Sequence, residues 1–461
     1  MSRDNSHGLE IDTIAAIATP PGKGGVGIVR LSGPEAEKIL YTLCGKKTPP
    51  RIASLSKFTD PHENVLDTGL ALFFPGPNSF TGEDVVELQG HGGPVVMDLL
   101  LAACLALGAR LANPGEFSER AYLNNKLDLV QAEAISDLIN SASESAARAA
   151  IKSLSGDFSK RISELAEKIT RLRIYVEASI DFPEEEIDFL SEGQVNHKAE
   201  KILEELEELL ASSKQGVLLK EGIRVVIAGR PNVGKSSLLN RLLGYDRAIV
   251  TALAGTTRDA LAEQVTLKGL PVTFVDTAGL RQTQDIVELE GINRTRVELE
   301  RADWIVLVRD ISEIDLDLET ELAELGLAAG NNMIVVENKL DLIEENALSA
   351  DMLEEQGMHV KTVGISALTG QGLDMLVNTL IKMVGYQDQA SGFIARRRHL
   401  ESLYAVKSAL EDGLKQLNTL SAGELFAEDL KQAHKHCGDI LGHMTSDELL
   451  GEIFSSFCIG K

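Results

Sequence analysis

The order of apolar and polar positions divides the chain into four stretches. Residues 1–120 are broken by glycine and proline and carry short β-type runs, GVGIVRLSG, LALFF and DVVELQGHGG, then VVMDLLLAACLALGA, whose length favours a helix over a strand. This predicts a small α/β domain. From a helix start at Asn113 or Pro114 to about residue 219, apolar residues recur every three or four positions in sequence rich in Ala, Leu, Glu and Lys, which predicts helices. DFPEEE at 181–186 interrupts them, because Pro183 lacks an amide donor and clashes with the preceding turn. At Gly222 the texture changes to IRVVIAG, a continuous apolar run suited to a buried parallel strand. VTFVDTAG, WIVLVRD, MIVVENK and TVGISA follow, alternating with helix-like segments to about residue 384, as in a doubly wound sheet. A Gln/Ser/Gly linker near 385–392 precedes a last helical stretch, 393–461. Two helical stretches around an α/β domain predict one helical domain carrying an insertion, which is permitted because domain termini lie close together. The expected domains are therefore 1–120, a split helical domain of 121–220 and 386–461, and 221–385. ILEELEELL has coiled-coil-like spacing, and packing within the helical domain is its expected use.

Composition narrows this picture. At roughly 150 residues per domain, a chain of 461 residues predicts about three domains. Lys and Arg number 45 against 70 Asp and Glu, a formal charge of −25, concentrated beyond residue 120. Such a balance argues against a general polyanion-coating protein, since counterion release needs Lys and Arg. Nucleic-acid contact must be local or supplied by a partner. Four cysteines, Cys44, Cys104, Cys437 and Cys458, form no CxxC pair and suggest neither a disulfide framework nor a zinc module. A reducing cytoplasm fits. The opening MSRDNSHGLEID lacks a secretory pattern, and no apolar run is long enough to span a bilayer, so no membrane role is expected.

One constellation carries clear chemistry. Gly229 to Ser236, GRPNVGKS, fits GxxxxGK[ST] between a predicted strand and the helix-like SSLLNRLLG. Its amides and the helix amino terminus would cradle phosphates, Lys235 would neutralise β/γ charge, and the Ser236 hydroxyl would ligate Mg²⁺. Asp276-Thr277-Ala278-Gly279, Asn338-Lys339-Leu340-Asp341 and Ser366-Ala367-Leu368 follow at the carboxyl ends of predicted parallel strands, where open α/β sheets bind ligands. The Asp341 carboxylate can accept from guanine N1–H and the exocyclic amine, a donor pair adenine lacks, so the nucleotide is GTP or GDP. Leu280 stands immediately after Asp276–Gly279, where signalling GTPases carry a water-orienting Gln. An activating group must come from elsewhere: Asp285, Glu288 and Glu290 are candidates, with a solvated helix face as the plain alternative. Positive charge at the transition state requires an arginine finger or a monovalent cation held by Asn232.

Together with ATPPGKGGVGIVRLSGP, SFTGEDVVELQGHGG, NPGEFSERAYLNNKLDLVQAEA, AGTTRD, DTAGLRQTQDIVELEGI and the terminal Cys458-Ile459-Gly460-Lys461, these motifs resemble the MnmE (TrmE) family of tRNA-modification GTPases over essentially the whole chain. The resemblance implies an amino-terminal α/β tetrahydrofolate-binding domain that makes a homodimer, a discontinuous helical domain, and an inserted Ras-like P-loop GTPase domain. It implies a K⁺-dependent GTPase that works with the FAD-dependent partner MnmG to convert the wobble uridine of certain tRNAs to 5-carboxymethylaminomethyluridine, using a tetrahydrofolate one-carbon unit. Residue by residue, Asn232, Val233, Gly234, Lys235, Ser236 and Ser237 would bind GTP. So would Thr251, Ala252, Leu253, Ala254, Gly255, Thr256, Thr257, Asp276, Thr277, Ala278, Gly279, Asn338, Lys339, Asp341, Ser366, Ala367 and Leu368. Asn232, Thr251, Leu253 and Thr256 would hold K⁺; Ser236 and Thr257 would hold Mg²⁺. Glu288 matches the water-activating glutamate, beside Lys235 as the other catalytic group. Arg30, Glu87, Lys126 and Lys461 match the contacts for 5-formyl-tetrahydrofolate or a related folate.

Several residues carry competing readings. Cys458 is either a nucleophile with a thiol lowered by Lys461 or a structural cysteine near the folate pocket. A prenylation box fits the last residues poorly. His434, His436, Cys437 and His443 match no usual zinc spacing and read as helix residues. Lys23 in GKGGVG reads as a hairpin-like turn, and Arg396-Arg397-Arg398 as a solvated helix start or a tRNA-phosphate contact. The rival to the enzyme is a regulatory or ribosome-assembly GTPase switch whose amino-terminal domain merely binds a partner.

Overall fold

The computed structural model describes residues 12–181, 194–245, 262–276, 297–313, 317–324, 327, 332–343, 361–387, 392–420, 422–442 and 447–460. In chain order, β1 (Ile14–Ile17), β2 (Gly24–Ser32), α1 (Ala36–Cys44), β3 (Ser54–Thr59), β4 (Val65–Phe74), β5 (Val85–Gly92), α2 (Pro94–Ala106) and β6 (Arg110–Leu111) come first. Five helices follow: α3 (Glu116–Leu123), α4 (Leu129–Ile139), α5 (Glu144–Leu154), α6 (Asp157–Asp181) and α7 (Gln194–Glu221). An alternating stretch contains β7 (Ile223–Ala228), α8 (Lys235–Leu243), β8 (Ala262–Leu267), β9 (Leu270–Asp276), β10 (Trp304–Asp310), α9 (Leu318–Glu324), β11 (Met333–Asn338), β12 (Lys361–Gly364) and α10 (Leu373–Val384). α11 (Arg397–Leu420), α12 (Gly423–Leu441) and α13 (Asp447–Ser455) close the chain. By proximity it divides into two compact units, one of Met1–Ser136, Ser153–Ile202 and Ala405–Lys461, the other of Asp137–Lys152 and Leu203–Tyr404.

The first unit contains a six-stranded sheet in the order β3-β4-β5-β2-β1-β6. It is antiparallel except where β1 meets β6. Alternation puts Val29, Leu31, Phe58, Phe73, Val86 and Leu88 on one face, against Ile39, Leu40 and Leu43 of α1 and Met97, Leu100 and Cys104 of α2. Fully burying each such Leu or Phe contributes about 1.5–3 kcal/mol. The opposite face carries Ile14 and Ala16, covered by Phe117 of α3. α3 starts two or three residues later than the expected Asn113 or Pro114. Gly115 takes φ +70, and a Cβ there would lie 2.5 Å from the Phe454 carbonyl, so glycine delays the first turn. Glu116 then accepts from the Asn113 amide at 2.7 Å. Farther along, α6 packs along α12, with Ile162, Leu165, Ile169 and Leu172 buried on one helix and Phe426, Leu430, Ala433 and Cys437 on the other.

The second unit is built on a sheet in the order β12-β11-β10-β7-β9-β8, parallel from β12 to β9. Its five parallel strands arise from the five apolar runs of the sequence. The sixth, β8, runs antiparallel to β9 and escaped the sequence reading because AEQVTL buries only Val265 and Leu267. β8 and β9 meet at Lys268-Gly269, both at positive φ, the geometry of a tight primed hairpin turn. The tip is not free. Ser143 Oγ donates to the Gly269 carbonyl at 3.0 Å, and a Cβ on Gly269 would lie 2.7 Å from Ser145 Oγ and 3.0 Å from the Tyr386 hydroxyl. Ser143 Oγ also accepts from the Ala146 amide at 3.1 Å in the first turn of α5.

Candidate active site

β7 delivers the chain at its carboxyl end into Gly229–Ser236, and α8 begins at Lys235. Gly229 has φ +139, and a Cβ there would stand 2.2 Å from the Val308 carbonyl. Asn232 has φ +62, a region asparagine tolerates better than most residues. Gly234, at φ +99, caps α8. Lys235 is 6% exposed, and its Nζ donates to the carbonyls of Gly229 at 2.9 Å and Arg230 at 2.6 Å, so the loop's own backbone holds the ammonium. Asn232, Ser236 and Ser237 are exposed. The first amides of α8, not consumed within the helix, supply an anion-attracting end.

Two further loops are tied to this one. Asn338, 2% exposed at the end of β11, donates from Nδ2 to the Val233 carbonyl at 2.8 Å and accepts on Oδ1 from the Ala367 amide at 2.9 Å. A single buried amide thus fastens the 229–236 loop and the 366–368 turn to one strand end. Ser366 donates from Oγ to Asp341 Oδ1 and accepts from the Thr369 amide at 3.1 Å. Arg241 of α8 donates from Nε to the Ala367 carbonyl at 3.1 Å and from Nη2 to the Leu368 carbonyl. Asp276 ends β9 in register with Ile227 of β7. Thr251–Thr257, Thr277–Gly279, Leu280, Asp285, Glu288, Glu290, His443, Lys461 and the side chain of Asp276 lie outside the described residues.

Asp310, which the sequence reading passed over, belongs to this site. It ends β10 and pairs with Lys339, while the Ser312 hydroxyl and amide donate to its Oδ1 at 2.6 and 3.0 Å. Burial works to raise its carboxyl, but the hydrogen bonds from Lys339 and Ser312 outweigh it and hold the group below the ordinary aspartate range. A carboxyl lowered in the folded state stabilises above its unfolded pKa, and that stabilisation is lost as pH falls through the folded value. In sequence it shows only as the strand-terminal Asp of WIVLVRD; its pairing with the residue after Asn338 is set by the parallel register of β10 and β11.

In the amino-terminal sheet, Arg30 and Glu87 face each other across β2 and β5, joined at 2.9 and 3.1 Å. The Arg30 guanidinium also lies 5.6 Å from the Phe80 ring centre and 5.8 Å from that of Phe117. Lys126 Nζ instead donates to the Pro77 carbonyl at 3.0 Å, and Asn124 Nδ2 donates to that of Thr81 at 2.7 Å. Lys126 and Asn124 thereby tether the loop that carries Phe80. The reading also missed the ionic cluster beside it, where Arg120 contacts Asp12, Glu83 and Glu116, and Arg110 contacts Asp12 and Glu116. Cys458 is exposed, and its carbonyl accepts from the Gly115 amide at 3.4 Å. Cys437 is fully buried, which pushes its thiol up to about 12. Among the described residues no group of three or more His, Cys, Asp or Glu could hold a metal ion, and no helix is long and apolar enough to cross a membrane. Arg396 pairs with Asp137 at 2.9 Å and Arg397 with Glu221 at 2.8 Å at the start of α11.

A family model described as the MnmE helical domain matches residues 129–458, and one described as the GTP-binding protein TrmE N-terminus matches residues 13–126. The tRNA modification GTPase MnmE of Legionella pneumophila (strain Corby) is 54% identical over 456 residues, covering 98% of this chain and 100% of the relative. That of Pseudomonas paraeruginosa (strain DSM 24068 / PA7) is 54% identical over 455 residues, covering 98% and 99%. Among solved structures, the FeoB G-domain from Methanococcus jannaschii aligns with 35% of this chain and 98% of its own length, at 28% identity and a TM-score of 0.26.

Proposed function

This chain belongs to the tRNA modification GTPase MnmE family, and we propose that it couples K⁺-dependent GTP hydrolysis to modification of the wobble uridine of certain tRNAs, together with the flavoprotein MnmG. The observation that carries the nucleotide half is the Asn338 clamp, which binds the phosphate loop to the turn that would face the base. In this reading Asp341 reads guanine, Lys235 neutralises phosphate charge, and Ser236 with Thr257 would hold Mg²⁺. Asn232 with Thr251, Leu253 and Thr256 would hold K⁺; the exposed Asn232 amide offers a hard oxygen suited to that ion. When bound, K⁺ would supply the positive charge that an arginine finger supplies elsewhere. Glu288 takes the water-activating role that Leu280 cannot perform.

The amino-terminal domain, proposed as 1–120 and as the seat of a homodimer, would bind a tetrahydrofolate through Arg30, Glu87, Lys126 and Lys461. The joined Arg30–Glu87 pair favours this, since a carboxylate suits pterin N–H donors and cations suit a glutamate tail. Cys458 is exposed, which leaves its thiol accessible for a nucleophilic role beside the folate pocket. The proposed setting is the cytoplasm, and the basic surface needed for tRNA would come largely from the partner.

Turnover in K⁺ against Na⁺ tests the nucleotide half: K⁺ should give at least roughly tenfold faster hydrolysis, and equal rates would remove the cation role. In the same assay Glu288→Ala should lose hydrolysis while GTP affinity stays, because the residue acts on water and not on the ground-state nucleotide. For the folate half, titration with 5-formyl-tetrahydrofolate should show binding that Arg30→Ala abolishes. No binding by the native protein would end that reading.

A further inference from the structure

β10 ends on two charged residues with separate partners. Arg309, 4% exposed, donates from Nε to Glu321 of α9 at 2.8 Å, a sealed pair within the sheet's covering layer. Asp310, 7% exposed, is committed instead to Lys339 and Ser312. It stands in register with Asn338 on the parallel neighbour β11, so Lys339 is the next residue along. Lys339 holds φ +72, where a long side chain is disfavoured unless its surroundings over-determine it. The same short turn carries Asn338, which clamps the phosphate loop, and Asp341, which meets Ser366.

We propose that Asp310 is a positioning residue for guanine-nucleotide binding: by pinning Lys339 in its left-handed conformation, it sets the direction in which the 338–341 turn presents its polar groups to the base. The inference rests on the reading of that turn as the base-binding element. The ion pair is partly withdrawn from water, with Asp310 and Lys339 side chains 6% and 33% exposed, so solvent and salt screen it less than an open-surface pair. Ser312 fixes the carboxylate's Oδ1, which leaves Oδ2 directed at Lys339. Removing the charge would free the ammonium and let the turn relax from its strained form.

The test measures GDP and GTP affinity and steady-state turnover of the full chain for Asp310→Asn, Lys339→Met, the double variant and Asp341→Asn. Asp310→Asn should raise Kd for both nucleotides equally, by roughly tenfold, and raise KM in step while kcat at saturation is retained. The double variant should bind no more weakly than Lys339→Met alone, since both changes remove one contact. A residue that only stabilised the fold would lower the melting temperature without this non-additivity. Ser312→Ala, which keeps the charge, should raise Kd by roughly twofold to fivefold and remains readable if Asp310→Asn does not fold. Native nucleotide affinity in Asp310→Asn or, should that variant not fold, in Ser312→Ala would overturn the proposal, as would losses that multiply in the double variant. Failure of the underlying reading has a different mark: Asp341→Asn would then leave the preference for guanine unchanged.

Discussion

Asp341→Asn is expected to turn the protein from GTP toward XTP. Guanine presents two donors to the carboxylate, and a hydrogen bond to a charged acceptor contributes about 1.5–3 kcal/mol. Asp341 is exposed, which places the loss at the low end, about 3 kcal/mol for the pair or roughly a hundredfold in Kd. In xanthine an oxygen replaces the exocyclic amine and needs a donor, which the asparagine amide provides. The new amide oxygen can still accept from Ser366 Oγ, so the turn keeps its internal hydrogen bond. Competition of GTP and XTP for the variant measures the switch directly. A variant that still prefers GTP by the native margin would mean that Asp341 does not read the base.

Gly234→Ala should be at least as damaging, through geometry and not charge. The new Cβ would stand 2.2 Å from Asn338 Nδ2, and the residue would sit at φ +99. Asn338 would have to move, giving up its bonds to Val233 and Ala367 and leaving polar groups buried without partners, at about 1–3 kcal/mol each. Strain at the substituted residue adds about 1–3 kcal/mol. GTP affinity should fall by at least roughly a hundredfold, since about 3 kcal/mol of distortion falls on the binding loops. Circular dichroism should still report a folded chain. Calorimetric titration showing native affinity would contradict this account of the clamp.

Much of the candidate nucleotide site was legible because its motifs are each contiguous in sequence and follow apolar strands. IRVVIAG, MIVVENK and TVGISA form parallel strands, the first two largely buried and the third at the sheet edge, and their carboxyl ends carry Gly229–Ser236, Asn338–Asp341 and Ser366–Leu368. What escaped was interaction between segments. Asn338 reads in sequence as part of a specificity motif, whereas in the fold it is a structural clamp across 105 positions to Val233. Asp310 escaped because no local spacing links it to Lys339; only the parallel register of β10 and β11 brings them together. β8 escaped because an edge strand with one buried face carries few apolar residues. In the amino-terminal sheet, alternation gave β2 and β5, but the pairing of Arg30 with Glu87 depends on an antiparallel register that no single strand specifies.

Hairpin tips are ordinarily the positions where a chain accepts added residues, because nothing packs on them. The tip at Lys268-Gly269 is an exception, roofed by Ser145 and the Tyr386 hydroxyl and fastened by Ser143. An epitope, a fluorophore or a cysteine for labelling introduced there would have to break the Ser143 bond to the Gly269 carbonyl and displace Ser145 and Tyr386. A probe for following this protein belongs at another turn, and length variation among natural sequences should be rare at this one.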